Sequence, residues 1–225
     1  MQNTQELIHP KTSAGRTKKS LIMSALSLFS SKGYAETTTR DIADMAQANI
    51  SSIAYHFGGK QGLYNSCADY LIVLARSNVN NRPPCPPEEI GKMTAEEAEQ
   101  SLMDMVGRMI LFMLGSKHSQ IFVNFVLREV REQSPAIAKI YQEFISPNLN
   151  LAAAYYARAA ELPIGSQQSY LTVMGLIGQV LYFKVASYVV LTTLEWEQIG
   201  EEEREQIRQT VCSNIRASIK AARGE

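Results

Sequence analysis

Apolar residues recur at helical spacing along most of the chain, and β-type alternation does not compete with this pattern. In the first such segment, residues 18–31, apolar residues follow an i, i+3, i+4 stripe that Gly33 should end. Later segments predict helices at 60–80, 94–114, 118–133, 134–161, 166–194 and 201–223. Together with two short helices described next, the pattern predicts an all-α chain of about nine helices.

Residues 37–64 contain two short helices joined by a tight turn. Thr38 and Asp41 form a Thr-x-x-Asp pattern close to a capping box, which places the start of the first helix after Thr38. Asn49 is a typical N-cap for the second helix, and Phe57–Gly59 should end it. This arrangement matches a helix-turn-helix, whose second helix lies in the DNA major groove. A helical hairpin in an ordinary all-α core has the same pattern.

The exposed side of the second helix carries side chains suited to DNA. Ser51 and Ser52 are short donors that approach base edges or phosphates closely. Tyr55 and His56 add donors at the end of the helix, and Lys60 adds a positive charge for a phosphate. We therefore predict a DNA-reading surface here.

The same segment carries two spaced patterns, T-T-x-x-x-I-A from residue 37 and Y-x-F-x-x-K-x-x-L from residue 55. Over about fifty residues from Lys18 it resembles the DNA-binding domain of TetR-family transcriptional regulators. The resemblance implies DNA-backbone contacts by the threonines and by the second pattern, and base contacts at the start of the second helix. The DNA-binding candidates are Thr37, Thr38, Asn49, Ser51, Ser52, Tyr55, His56 and Lys60. One departure is Gln47, because the family usually has glycine in this turn.

Four prolines within residues 83–87 interrupt helix and strand alike, and they mark a linker. Arg16, Lys18 and Lys19 lie where an N-terminal arm meets the first helix, and this arm either reaches DNA or is a solvated leader. The predicted divisions are a flexible arm (1–16), a DNA-binding domain (17–64), a connecting helix and proline-rich linker (65–94), and a ligand-binding and dimerisation domain (95–225).

Length, composition and charge bound the class of protein, and 225 residues suffice for two small domains or one large one. The apolar fraction is 45%, and the formal net charge is zero. Residues 1–80 hold eight Lys and Arg against five Asp and Glu, so the front of the chain is mildly basic. The N-terminus lacks the apolar core of a secretory signal, and the three cysteines lack metal-site spacing. We expect a cytoplasmic protein with reduced thiols and no metal.

The motifs of common enzymes, such as G-x-S-x-G, a Walker loop or H-E-x-x-H, do not occur in the sequence. We therefore expect no enzyme activity and no cofactor. The back half, at about residues 95–220, resembles the C-terminal domain of CecR/YbiH-like TetR regulators in the stretches FVLREVREQSPAIAKIYQEFISP and GLIGQVLYFKVA. This resemblance implies that the domain binds a small-molecule effector.

Methionine, phenylalanine and polar side chains in apolar surroundings are candidates for the ligand pocket, although plain core packing explains any one of them. They are Met109, Phe112, Met113, Phe125, Arg128, Gln179 and Lys184. The apolar run from Leu171 to Leu194 has the length of a membrane span, but Gln179 and Lys184 near its middle favour a buried helix.

The last two predicted helices are expected to form a four-helix bundle across a two-fold axis of a homodimer, as the resemblance implies. The alternative is that both helices are buried within one subunit. The sequence thus predicts a ligand-responsive repressor that binds a palindromic operator as a dimer, with no membrane association. The alternative function is a small-molecule-binding or interaction protein that has lost specific DNA binding.

Overall fold

The structure is a computed structural model that describes residues 10–79, 86–116 and 118–225. These ranges are helical and contain no β-strand, which confirms the all-α class. The helices are α1 (Ser13–Lys32), α2 (Thr39–Ala46), α3 (Ser51–Phe57), α4 (Lys60–Val79), α5 (Pro87–Lys92), α6 (Ala95–Gly115), α7 (Ser119–Glu132), α8 (Pro135–Ile140), α9 (Ser146–Ala159), α10 (Gln167–Val185), α11 (Ser187–Leu194) and α12 (Glu201–Arg223). A π-helical turn, Tyr141–Ile145, separates α8 from α9. The described ranges hold more helices than the expected nine because the helices predicted at 134–161 and 166–194 are interrupted and because α5 lies where a linker was predicted.

The described residues fall into two compact units. The first unit is Met1–Ser77 with Gln120–Phe144, and the second is Asn78–Ser119 with Ile145–Glu225. This division differs from the predicted boundaries, which assigned residues 120–144 to the C-terminal domain. The difference arises because packing, and not local pattern, decides which unit a helix joins. Residues 1–9 of the predicted arm and 80–85 of the predicted linker lie outside the described residues.

The first unit begins with α1, which starts earlier than the predicted Lys18. Its N-cap is Thr12, whose hydroxyl accepts a hydrogen bond from the Gly15 N–H at 3.0 Å. Helices α1 to α4 bury a shared set of apolar side chains: Leu21, Ile22, Leu26, Phe29, Ile42, Ala43, Ile53 and Leu63. This small core fixes the two helices of the predicted helix-turn-helix on a rigid base.

The π-helical turn follows from Pro147. Proline has no N–H and its ring clashes with the carbonyl four residues earlier, so a proline at position 147 predicts a kink near Phe144. The backbone widens into the π-helical turn at that point. Arg76 Nη2 donates to the Glu143 carbonyl at 2.5 Å and supplies the hydrogen bond that Pro147 cannot donate.

The core of the second unit is formed by α6, α9, α10 and α12. It buries Leu102, Val106 and Ile110 of α6, Tyr156 of α9, Val173, Leu176 and Val180 of α10, and Ile207, Val211 and Ile215 of α12. The Thr94-x-x-Glu97 pattern predicts a capping box at the start of α6, and the structure confirms it, with Thr94 accepting from the Glu97 N–H at 3.1 Å.

The apolar run from Leu171 to Leu194, which has the length of a membrane span, is not one helix. It consists of α10 and α11, which are bent by 78° relative to each other at Ala186. Within the described ranges, no single helix has the length and apolar character needed to cross a membrane. Two bent pairs, α6 with α7 and α10 with α11, meet those criteria only when joined.

Candidate nucleic-acid interface

Helix α2 begins at a complete capping box. The Thr38 hydroxyl accepts from the Asp41 N–H at 3.1 Å, and the Thr38 N–H donates to the Asp41 carboxylate at 3.2 Å. Hydrogen bonds from Thr38, chiefly the one from its N–H, lower the pKa of the Asp41 carboxyl. Two otherwise unsatisfied donors at the helix start are thus paired, which fixes the point at which α2 begins.

The turn after α2 contains Gln47, the residue that departs from the family pattern. Gln47 adopts the left-handed conformation, with φ 52° and ψ 42°, where the family usually has glycine. A side chain in this conformation costs roughly 1 kcal/mol. Gln47 N–H donates to the Asp44 carbonyl at 3.1 Å and Ala48 N–H donates to the Ala43 carbonyl at 3.0 Å. The turn therefore keeps its hydrogen bonds despite the glutamine.

Asn49 was predicted to be the N-cap of α3, but the helix begins one residue later, so Asn49 lies two positions before its first residue, Ser51. Ile50 is the residue that directly precedes the helix, and it makes no side-chain cap. The Asn49 side-chain oxygen accepts from the Ser51 N–H at 2.9 Å and from the Ser51 hydroxyl at 2.8 Å. The two exposed side chains hold each other at the start of the helix.

Helix α3 is anchored by one buried side chain and presents polar ones outward. Ile53 is buried, whereas the Tyr55 side chain is 84% exposed. Ser51 and Ser52 lie one helical turn before Tyr55 and His56, and Ser52 and His56 are half-buried. The structure thus brings Ser51, Ser52, Tyr55 and His56 together on one short helix.

Thr37 lies elsewhere. It is fully buried, and its hydroxyl donates to the Gly33 carbonyl at 2.7 Å, which leaves its side chain no exposed surface. Thr38 at the helix start is exposed. Of the two candidate threonines, only Thr38 has a side chain that reaches the surface.

Lys60, at the start of α4, is held over an aromatic ring. Its ammonium lies 4.3 Å from the centre of the Tyr34 ring, a cation–π contact. The sequence patterns did not indicate a functional role for Tyr34 or for Gly62. A Cβ at position 62 would lie 1.8 Å from the Phe57 carbonyl oxygen, so α4 approaches the end of α3 as closely as glycine allows. The only sequence signal was a glycine inside an apolar-periodic helix.

The seven predicted ligand-lining residues are divided between the two units. Phe125 and Arg128 belong to the first, where Phe125 is buried. Met109, Phe112, Met113, Gln179 and Lys184 belong to the second. There the Gln179 side-chain oxygen accepts from Asn214 at 2.9 Å, and burial lowers the pKa of the Lys184 ammonium.

The second unit also contains an open groove of about 1060 Å³ between α6 and the start of α12. Its walls include Gly107, Ile110, Leu111, Arg204 and Arg208, together with Glu201, Glu202, Glu203 and Glu205. None of the predicted ligand-lining residues is among the residues that line this groove. The predicted pocket therefore stays a prediction.

Comparison with known proteins gives two family matches. The tetR family of bacterial regulatory proteins matches residues 21–67, and the C-terminal domain of the HTH-type transcriptional dual regulator CecR matches residues 98–222. CecR of Shigella flexneri is 28% identical over 205 residues, which are 89% of this chain and 90% of that protein.

Solved structures share the fold. HlyIIR, a hemolysin II transcriptional regulator, has a TM-score of 0.55 at 16% identity, covering 88% of this chain and 98% of its own. NalD, the secondary repressor of the MexAB-OprM multidrug efflux pump in Pseudomonas aeruginosa, has a TM-score of 0.51 at 16% identity, covering 87% and 94%.

The capped helix-turn-helix and the family matches together define the class: this chain belongs to the TetR family of bacterial regulatory proteins and is a DNA-binding transcriptional regulator. Within that family, residues 98–222 match the C-terminal domain of the CecR type. Both resemblances seen in the sequence are confirmed.

Proposed function

We propose that this regulator is a repressor that binds a palindromic operator as a homodimer and responds to a small-molecule effector. The observation that carries the proposal is α3, whose start is held by the hydrogen bonds between Asn49 and Ser51, and which presents Ser51 and the 84%-exposed Tyr55 to solvent. A short reading helix contacts few bases, and two copies related by a two-fold axis supply the specificity that one lacks.

The predicted DNA contacts divide into two kinds. Ser51, Ser52 and Asn49, at the N-terminal end of α3, read base edges, because the N-terminal residues of a recognition helix point into the major groove. Tyr55, with Lys60 at the start of α4, contacts phosphates and sets the register of the helix on the duplex. His56 and Thr38 are further backbone contacts in this proposal.

The dimer is formed by α10, α11 and α12. Apolar side chains of α10 and α11 expose between 49% and 81% of their surface: Leu171, Met174, Tyr182, Val185, Tyr188 and Val189. Gly175 and Gly178 have open space where a Cβ would lie, which allows a partner helix to approach closely. An exposed apolar surface of this kind favours an interface, and a second copy of the same helices is the partner we propose.

The effector binds the CecR-type domain and changes the affinity of the dimer for its operator. Only a ligand that prefers one of the two states shifts the equilibrium between them. A tenfold loss of operator affinity corresponds to about 1.4 kcal/mol of coupling, and the operator must weaken effector binding by the same factor. A saturating ligand without an effect on operator affinity would refute this coupling for that ligand.

The deciding experiment is operator binding measured by fluorescence anisotropy. The operator is first selected from a random duplex library, and a scrambled duplex serves as the reference. We expect much tighter binding to the operator and a linear fall of log K with log salt. Lys60→Met should weaken binding and reduce the salt slope by about 0.9, the contribution of one phosphate contact.

Lys92→Met is the matched control, because it removes one exposed lysine charge from α5 of the second unit. It should leave operator affinity unchanged. Equal, weak binding of the wild-type protein to operator and scrambled duplex would contradict the proposal and favour the alternative, a binding protein that has lost specific DNA recognition.

A further inference from the structure

In the first unit, an arginine of α7 donates hydrogen bonds to the C-terminal end of α1. Arg128 donates from Nη1 to the Ser31 carbonyl at 3.1 Å and from Nη2 to the Lys32 carbonyl at 2.9 Å. Its Nε donates to Glu132 at 2.9 Å, which orients the guanidinium. The last carbonyls of a helix lack partners within the helix and carry partial negative charge. Arg128 therefore caps α1 from a helix about a hundred residues away in sequence.

Gly33 provides the space for this cap. A Cβ at position 33 would lie 2.3 Å from Arg128 Nη2, and the backbone has a φ of 89°, which favours glycine. Both constraints act at the residue that directly precedes Tyr34. The cap thus fixes the backbone from which the Tyr34 side chain extends.

The next residue of α7, Glu129, is fully buried and accepts a hydrogen bond from the Tyr64 hydroxyl. Burial and this hydrogen bond raise the pKa of Tyr64, so the hydroxyl remains a donor. The other carboxylate oxygen of Glu129 has no hydrogen-bond partner among the described residues. A buried, half-paired carboxylate is costly, which argues for a role other than stability alone.

Aromatic rings continue this contact to the DNA-binding surface. The rings of Tyr64 and Tyr34 meet edge to face, with their centres 4.8 Å apart. Phe29 packs against both, at 5.2 Å from Tyr64 and 5.7 Å from Tyr34. Tyr34 carries the Lys60 ammonium over its ring, and its hydroxyl donates to Gln61 at 2.9 Å. An unbroken series of contacts thus joins Glu129 to Lys60.

We infer that Arg128 and Glu129 are positioning residues for Lys60. Arg128 fixes the backbone before Tyr34, Glu129 fixes Tyr64 against the Tyr34 ring, and that ring holds the ammonium where it meets a DNA phosphate. The inference rests on the proposed function, because it assigns the lysine charge to the operator backbone. It also assigns residues of the C-terminal half of the chain to the working of the DNA-binding surface.

The salt slope of operator binding tests this inference. One lost phosphate contact lowers the slope by about 0.9. Arg128→Gln should lower operator affinity and reduce the slope as Lys60→Met does, and combining the two changes should reduce it no further. Loss of folding alone would lower the active fraction, measured by stoichiometric titration, but would leave the slope of the remaining protein at the wild-type value.

Arg131→Gln is the charge-matched control, since Arg131 is exposed on the same helix. It should leave the slope unchanged. A second pair of variants avoids the cap entirely. Tyr34→Leu removes the ring beneath the ammonium and should reproduce the slope of Lys60→Met. Tyr34→Phe keeps the ring, loses only the bond to Gln61, and should retain the wild-type slope.

Three outcomes are decisive. Wild-type slopes in both Arg128→Gln and Tyr34→Leu, with a reduced slope in Lys60→Met, would overturn the inference and leave the proposed function intact. A wild-type slope in Lys60→Met would show that Lys60 makes no phosphate contact, and this would refute the inference. Specific operator binding would still support the proposed function. A wild-type protein that does not prefer its selected operator would refute the proposed function and the inference together.

Discussion

Replacing Gly62 by alanine should displace the reading helix. Gly62 lies in the first turn of α4, and its added Cβ would lie 1.8 Å from the carbonyl oxygen and 2.9 Å from the carbonyl carbon of Phe57. A carbon–oxygen contact needs roughly 3.3 Å, so the two groups must separate by about 1.5 Å. Both belong to the backbone, and no change of rotamer relieves the clash. Because Phe57 is the last residue of α3, the shift moves that helix.

The expected cost is larger for DNA binding than for folding. Inserting a methyl group into a tight contact typically costs about 1–3 kcal/mol, and alanine recovers about 1 kcal/mol over glycine in a helix. The free energy of unfolding should therefore fall by no more than about 2 kcal/mol. A shift of about 1.5 Å takes hydrogen bonds to base edges out of range, each pair being worth about 1–3 kcal/mol. Operator affinity should fall at least tenfold.

Fluorescence anisotropy and urea unfolding followed by circular dichroism measure the two effects in the full chain. The control is Gly91→Ala in α5, because a Cβ there meets no atom within 4 Å. It should keep operator affinity and gain up to about 1 kcal/mol of stability. If Gly62→Ala matched this control in both measurements, the close approach of α4 to α3 would not be what holds the reading helix.

Three further predictions each concern a single residue. Thr38→Ala removes an N-cap and should lower the free energy of unfolding by about 1 kcal/mol in urea titrations. Hydrogen bonds from Thr38, chiefly from its backbone N–H, lower the pKa of Asp41, so their contribution to stability is complete above the ordinary value of 3.8 and is lost as pH falls through the lowered value. The backbone bond survives in Thr38→Ala, so both variant and wild type should lose this part of their stability in strong acid. Cys67 is fully buried, and burial raises the pKa of its thiol. Iodoacetamide should therefore modify Cys67 only in unfolding conditions, which peptide mass spectrometry would measure. Rapid modification of the native protein would contradict this prediction. Tyr188→Lys, at a side chain 81% exposed, should yield folded monomers in sedimentation velocity, whereas a persistent dimer would exclude this surface as the interface.

Much of the candidate site could be predicted because its signals are local. The capping box at Thr38 depends on hydrogen bonds between residues three positions apart, and it occurs where its pattern predicts it. The capping box at Thr94, outside the site, is predicted in the same way. The turn at Gln47 was predicted from the same spacing, but its conformation was not, and the structure shows that glutamine adopts the left-handed conformation usually given to glycine.

Other features of the site had no local signal. Thr37 belongs to the same motif as Thr38, but it is buried because its hydroxyl bonds to the Gly33 carbonyl. The role of Arg128 was equally hidden, since the sequence showed only a charged residue in an apolar helix. Its partners, the carbonyls of Ser31 and Lys32, lie on a helix that no pattern connects with α7.

Helix periodicity, caps and motif spacing are properties of neighbouring residues, and they were enough to predict the all-α class, the helix-turn-helix and the family. Local patterns did not predict that residues 120–144 join the first unit, or that the helix predicted from 166 to 194 divides at Ala186. Both features depend on which helices pack together. Packing is decided by contacts between residues far apart in the chain, and a single sequence does not record which residues those are.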